Sequence, residues 1–242
     1  MGRWSYRQVA VAGLALLLLA VVARLSVKAG QAVVVRAEVE DASRWLRGAV
    51  IAVDPGHGGR DPGAVVGQTL EKAVVLQISL TLRDMLEQHG AKVVLTRDED
   101  EDLGGPISQE LRRRVALVEE NKAQLFVSIH ANKDRCNCWG AQTFFQRSGR
   151  PGGKELAQSI QKQLRRLTPT TREALAADYL VLRTSPVPSA MVEVGFLTNG
   201  AEHQRLKEAT YQKILATAVM LGIVDYMKTQ VPQTRSQGQV GR

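Results

Sequence analysis

The sequence predicts an α/β domain built on a twisted, mostly parallel sheet with helices on both faces. Three observations point there. Continuous apolar runs of strand length, such as Ala49–Val53, alternate with amphipathic helical stripes; unbroken apolar strands belong to sheets covered on both faces. The runs end in loops dense in backbone punctuation, as in Asp54-Pro55-Gly56-His57-Gly58-Gly59. The 242 residues, 44% hydrophobic and 23% charged, have the composition of a globular enzyme rather than a disordered or fibrous chain.

The chain begins with Arg3 and Arg7 followed by an uncharged stretch, Val9 to Ala23. A basic start before a short apolar run is the pattern of a secretory signal, and the run is short for a comfortable transmembrane helix. Residues 1–29 are therefore expected to be a signal peptide or signal anchor, and the only membrane contact. The protein is expected to be secreted or membrane-anchored, outside the cytoplasm. Residues 30–48 read as a linker ending in a short amphipathic segment (Val39, Ala42, Trp45, Leu46).

Residues 49–228 form the predicted catalytic domain. After the strand Ala49–Val53, apolar residues recur at Leu70, Val74, Ile78, Leu82 and Met85, a helical stripe that stops at Gly90. Lys92–Thr96 reads as a strand, Leu111–Val118 as helix and Gln124–Ile129 as a buried strand. Gly140–Phe145 reads as a strand, Glu155–Leu167 as a helix, and Tyr179–Leu182 and Ser189–Val194 as strands. A long helix spans Gln204–Met227. Residues 229–242 lack apolar content and are expected to be a disordered tail.

Several function classes drop out. Residues 1–29 carry Arg3, Arg7, Arg24 and Lys28 and no acid, half of the net +8, so the rest is too mildly basic to predict a nucleic-acid partner. No GxxxxGK or GxGxxG pattern follows a strand, which disfavours a nucleotide site. Two cysteines make no structural zinc module. A Cys136–Cys138 disulfide would close a tight ring, so loop thiols are expected.

Function in open α/β sheets gathers at the carboxyl ends of strands, and two of the four histidines, His57 and His130, lie there. His89 and His203 suit helix termini. Glu71, near a helix start, could compensate the dipole or act as a ligand. Glu193 lies inside the apolar run Ala190–Val194, where a carboxylate is costly unless paired, protonated or metal-bound. Two imidazoles and one carboxylate form a common catalytic zinc set with one position open for water. His57, Glu71 and His130 could fill it, with Glu193 as general base.

The blocks Val53–Gly59, Asp61–Ala64, Glu71-Lys72, Leu95–Arg97, Phe126–Asn132 and Val192–Asn199, in that order, resemble the zinc-dependent N-acetylmuramoyl-L-alanine amidases of bacterial cell-wall metabolism. The resemblance spans roughly Val50 to Met227. It implies a mixed sheet of about six strands, and hydrolysis of the amide joining N-acetylmuramic acid to the L-alanine of the peptidoglycan stem peptide. It implies one zinc per chain on His57, Glu71 and His130, with Glu193 as the catalytic glutamate. The block Asn137–Phe145 and the short leader resemble the sporulation- or germination-specific subgroup. That narrower likeness implies spore-cortex maturation, formation of muramic-δ-lactam and a location around the developing forespore. Only Lys133–Trp139 follows the second histidine's strand before the next one, so the helical regulatory insert of some division amidases is not expected. An accessory protein for activity is compatible with the family.

Arg97, Arg183 and Asn132 are candidate substrate-binding residues. Arginine can grip peptide carboxylates bidentately, and surface ion pairing is its alternative. Asn132 could orient the substrate or cap the loop. Two other functions stay open on the residues: a catalytically silent peptidoglycan-binding domain and a vegetative cell-wall amidase.

Overall fold

The computed structural model describes residues 21, 30, 32–134, 136 and 138–230. Apart from Val21, the expected leader lies outside them, as does the expected tail apart from Thr229 and Gln230. The chain divides into two compact units, Met1–Asp41 and Ala42–Arg242. In the first, residues 32–41 are helical, and Arg36 pairs with Glu40 one turn away at 2.9 Å. The second unit opens with a short helix, α1 (Ser43–Leu46). Ala42 and Leu46 are fully buried in it, so part of the expected linker is core.

Beyond α1 the order is β1 (Val50–Pro55), β2 (Val65–Val66), β3 (Thr69–Leu70), α2 (Glu71–Gln88), β4 (Lys92–Leu95), α3 (Ile107–Glu120), β5 (Leu125–Asn132) and β6 (Gln142–Phe145). There follow α4 (Gly153–Leu167), β7 (Leu175–Ala176), α5 (Leu180–Thr184), β8 (Ser189–Phe196), α6 (Gly200–Leu206) and α7 (Ala209–Gln230). Six strands form one sheet in the order β4-β1-β5-β8-β6-β7, and β2 and β3 form a separate ribbon. β4, β1, β5 and β8 are mutually parallel, β6 runs antiparallel to β8, and β7 is parallel to β6. The fold class matches the sequence reading: one α/β domain on a six-stranded, mostly parallel mixed sheet.

Strand periodicity explains where chemistry can sit. Ala52, Val94, Phe126 and Met191 share one face with Val115 and Val118 of α3 and Val181 and Leu182 of α5. Continuing by twos along the same strands places Asp54, Thr96, Ser128, His130 and Glu193 on that face, at the strand ends. α7 packs against α2 and α4, and its buried residues, from Tyr211 to Tyr226, cover most of its circumference, as expected of a core helix.

Three local readings are corrected. Tyr179–Leu182 is not a strand: Tyr179 is extended and α5 begins at Leu180. A short apolar run does not separate strand from helix by periodicity, and burial of Val181 and Leu182 against α3 decides for helix. The short strand nearby is β7, which pairs with Phe144 and Phe145. The single terminal helix is two, broken at Lys207 and Glu208. Asn199 caps α6 by accepting from the Ala201 and Glu202 amides, and the Gln212 side chain donates to the Leu206 carbonyl left at its end. Finally, Cys136 and Cys138 are joined in a disulfide. Their Cα atoms lie 5.1 Å apart, within disulfide reach, so the two-residue spacing does not force thiols apart.

Candidate active site

His57 sits in the loop leaving β1, with φ of 61°, in the left-handed region that histidine visits uncommonly. A tight turn follows, with Gly58 and Asp61 exchanging backbone hydrogen bonds of 3.0 Å. The turn brings the Asp61 carboxylate back to His57, Oδ2 to Nδ1 at 2.7 Å, while Oδ1 accepts from the Gly63 amide. With Nδ1 engaged, Nε2 faces Glu71 Oε1 at 3.0 Å.

Glu71 is the first residue of α2 and 5% exposed. Its Oε2 accepts the Ala64 amide at 2.8 Å and its Oε1 the Ala131 amide at 2.9 Å. His130, near the end of β5, places Nδ1 3.1 Å from Glu71 Oε1. The two imidazoles meet edge-on with centroids 4.8 Å apart. Two glycines make room. A Cβ on Gly56 would lie 2.2 Å from His130 Cε1, and one on Gly63, at φ 65°, would lie 2.6 Å from Glu71 Oε2; only glycine fits either position.

The charges in this cluster are strongly coupled. Burial pushes the His57 imidazole down, but its bonds to Glu71 and Asp61 outweigh this and hold it at about 9. Burial raises Glu71, and the two histidines overcome that to hold it far below the carboxylate range. The carboxylate thus draws positive charge to itself. The candidate ligand atoms of His57, Glu71 and His130 all lie within 4.8 Å of one another. One carboxylate and two imidazoles, one of them backed by Asp61 through its other nitrogen, suit a divalent ion such as zinc.

Glu193 lies opposite His130 in the β5–β8 register. It is 8% exposed, and its Oε2 has no hydrogen-bond partner. Burial pushes its carboxyl up to about 7. Glu193 lines a pocket of about 290 Å³ with His57, His130, Asp61 and Arg114, and Ile107, Leu111, Leu180 and Met191 give it an apolar wall. A carboxylate without fixed partners, sharing a pocket with the His57 and His130 imidazoles, is suited to take and return a proton.

Asp54, Glu110 and Arg114, which also line the pocket, form a buried charge network. Asp54 Oδ1 accepts from Arg114 Nη1 at 2.7 Å and from Thr96 Oγ1, and its Oδ2 accepts from Ser128 Oγ. Burial alone would raise Asp54, but Arg114 and the hydroxyls hold it below its ordinary value. Arg114 also binds Glu110.

The structure brings His57, Glu71, His130 and Glu193 together. The three candidate substrate binders make other contacts. Arg97 is 2% exposed and spends its donors on the backbone carbonyls of Pro55, Gly56, Lys72 and Glu99, so its expected grip on a peptide carboxylate gives way to holding the loop. Arg183 is half-exposed and pairs with Asp178, the ion-pair alternative. Asn132 closes β5 at a register shift, its carbonyl accepting the Leu197 amide. His89 bonds Ser43 and His203 bonds Thr69, away from the cluster. Sequence reasoning passed over Asp61, Asp54 and Arg114. Asp61 carried one local signal, its place four residues after His57. Glu110, Arg114 and Val118 recur at helical spacing, which puts a charged pair on the apolar stripe of α3.

A family model described as N-acetylmuramoyl-L-alanine amidase matches residues 51–225. The germination-specific N-acetylmuramoyl-L-alanine amidase of Bacillus subtilis is 39% identical over 193 residues, 75% of this chain and 81% of that protein. Among solved structures, the CwlD amidase from Clostridioides difficile, in complex with the GerS lipoprotein, superimposes with a TM-score of 0.69 at 34% identity, covering 75% of this chain and 100% of that one. The catalytic domain of CwlV from Bacillus (Paenibacillus) polymyxa var. colistinus gives 0.66 at 32% identity, covering 75% and 99%.

Proposed function

This chain belongs to the N-acetylmuramoyl-L-alanine amidase family and is a peptidoglycan amidase, and we propose that it works as a zinc hydrolase acting on spore-cortex peptidoglycan outside the cytoplasm. The observation that carries the zinc reading is the convergence of His57, Glu71 and His130 opposite a buried, unpartnered Glu193 oxygen. These three side chains would hold one zinc per chain. Zinc bound there supplies a Lewis acid that polarises the scissile carbonyl and lowers the pKa of water.

The remaining work falls to the protein. Asp61 keeps the His57 Nδ1 proton in place, so that Nε2 offers its lone pair to the ion. Glu71 is fixed by two backbone amides and offers one oxygen edge to both histidines. Glu193 takes the proton of the attacking water and delivers it to the departing L-alanine nitrogen. The apolar wall of the pocket limits competing water around that carboxyl.

Digestion of purified peptidoglycan with the protein, followed by mass spectrometry, tests the reading. Free stem peptides beginning with L-alanine are expected. Release of D-alanine alone would mean a carboxypeptidase, and intact muropeptides with retained binding a silent binding domain.

The cortex assignment is supported by the germination-specific relative. Deletion of the gene is expected to remove muramic-δ-lactam from cortex muropeptides and leave the vegetative wall unchanged; the opposite result would assign the protein to the vegetative wall. The CwlD structure contains a lipoprotein partner, which supports an accessory protein here as well.

A further inference from the structure

We propose that Arg97 and Arg114 form a two-armed clamp on the His57 loop, and that this clamp sets how tightly the His57–Glu71–His130 site holds its metal ion. The proposal rests on the zinc reading above. Of the three ligands, Glu71 stands on the first turn of α2 and His130 within β5, both rigid elements. Only His57 is carried by a loop, and in a left-handed conformation that non-glycine residues adopt uncommonly. Asp61 holds its side chain from within the loop, and contacts from outside the loop fix its backbone.

Two buried guanidinium groups do so. Arg97, from the end of β4, donates to the Pro55 carbonyl at 2.9 Å and to Gly56 at 2.8 Å. Arg114, from α3, donates to Pro55 at 2.8 Å and to His57 at 2.6 Å. Three consecutive carbonyls, ending on the ligand residue, are gripped from two sides. Arg97 Nη2 also donates to the Lys72 carbonyl at 2.9 Å, next to Glu71. One guanidinium therefore ties the loop bearing one ligand to the helix bearing another. Arg114 is itself fixed by Asp54 and Glu110, and Asp54 by Thr96 and Ser128.

Only the planar, five-donor fork of arginine makes these bonds at once; lysine keeps the charge and loses the fork. Arg97→Lys and Arg114→Lys thus preserve compensation of Asp54 while releasing the carbonyls. Zinc affinity of the full chain is measured by competition with a chromogenic chelator, beside apoprotein melting and His57→Ala as a control. Both lysine variants are expected to bind zinc about 10–100-fold more weakly, the range typical of groups that orient metal ligands. Hydrolysis should fail at limiting zinc and return at excess, with apoprotein melting still cooperative. Unchanged zinc affinity in folded lysine variants would overturn the clamp, as would lost activity that excess zinc does not restore. Should Arg114→Lys not fold, Arg97→Lys decides alone, because it leaves the Asp54–Arg114 pair untouched. If His57→Ala keeps its zinc, the zinc reading falls and the clamp with it; if His57→Ala loses zinc while both lysine variants keep it, the clamp alone falls.

Discussion

Glu71 and Glu193 line the same end of the sheet at nearly equal burial, 5% and 8% exposed, yet their surroundings drive them in opposite directions. Glu71 meets two backbone amides and two imidazole nitrogens within 3.1 Å, and these hold it ionised. Glu193 has an oxygen with no partner, and burial holds it near 7. Burial alone therefore does not assign a carboxylate's role; the donors aimed at it do. A carboxylate locked by donors suits a ligand, and one left loose suits proton transfer.

Replacing the locked one should have the largest effect. Glu71→Ala removes a proposed metal ligand and strips the Ala64 and Ala131 amides of their acceptor. Zinc content and hydrolysis are expected to vanish together, and each orphaned amide to cost about 1–3 kcal/mol of stability, read by metal analysis and melting. Glu193→Gln should separate these quantities: zinc stays at one per chain while kcat falls about 10²–10⁴-fold, the usual range for a general base. A Glu193→Gln enzyme of full activity, or one that loses zinc, would erase the contrast.

How much of this the sequence disclosed depended on how local each signal was. His57 and His130 stand beside strand ends and Glu193 inside an apolar run, where a polar residue is conspicuous, whereas Glu71 at a helix start had dipole compensation as its alternative. For Arg114 only its place on the apolar stripe of α3 was legible; its meaning comes from Asp54, sixty residues away. Arg97 was legible as a residue at a strand end but misread, since only the folded chain shows four carbonyls around it. Tyr179–Leu182 failed for a different reason: four residues carry too few turns for periodicity, and packing against α3 decided the helix. For Cys136 and Cys138 the spacing argument was too strict, because loop backbone can set the required Cα separation.

A finer probe of the contrast lies one shell out. Asp61 is bound to His57 Nδ1 at 2.7 Å and is itself held below its ordinary value, burial being outweighed by that bond. Asp61→Asn keeps the shape and removes the charge. Zinc affinity is expected to drop about 10–100-fold, with Glu193 still able to act once zinc is supplied in excess. An equal loss of kcat at saturating zinc would mean that Asp61 serves proton transfer rather than ligand orientation.

The one expected effect that needs neither zinc nor substrate is also the most direct test of Glu193 as a group held against its preference. In the metal-free protein its pKa lies above the ordinary 4.5, at about 7, so the folded state binds a proton more tightly than the unfolded chain. Ionising it works against folding: the stability this proton contributes is complete below about pH 4.5 and is lost as pH rises through 7. Glu193→Gln has no such proton to lose. Its chelated apoprotein should match the parent near pH 4 and exceed it by about 3 kcal/mol at pH 8, measured by urea unfolding across that range. Asp54 runs the other way, its pKa lowered by Arg114 against burial, so its contribution is present above about pH 4 and fades on acidification. Flat stability differences between parent and Glu193→Gln from pH 4 to 8 would mean that Glu193 finds partners in solution, and the distinction between a locked and a loose carboxylate would go with them.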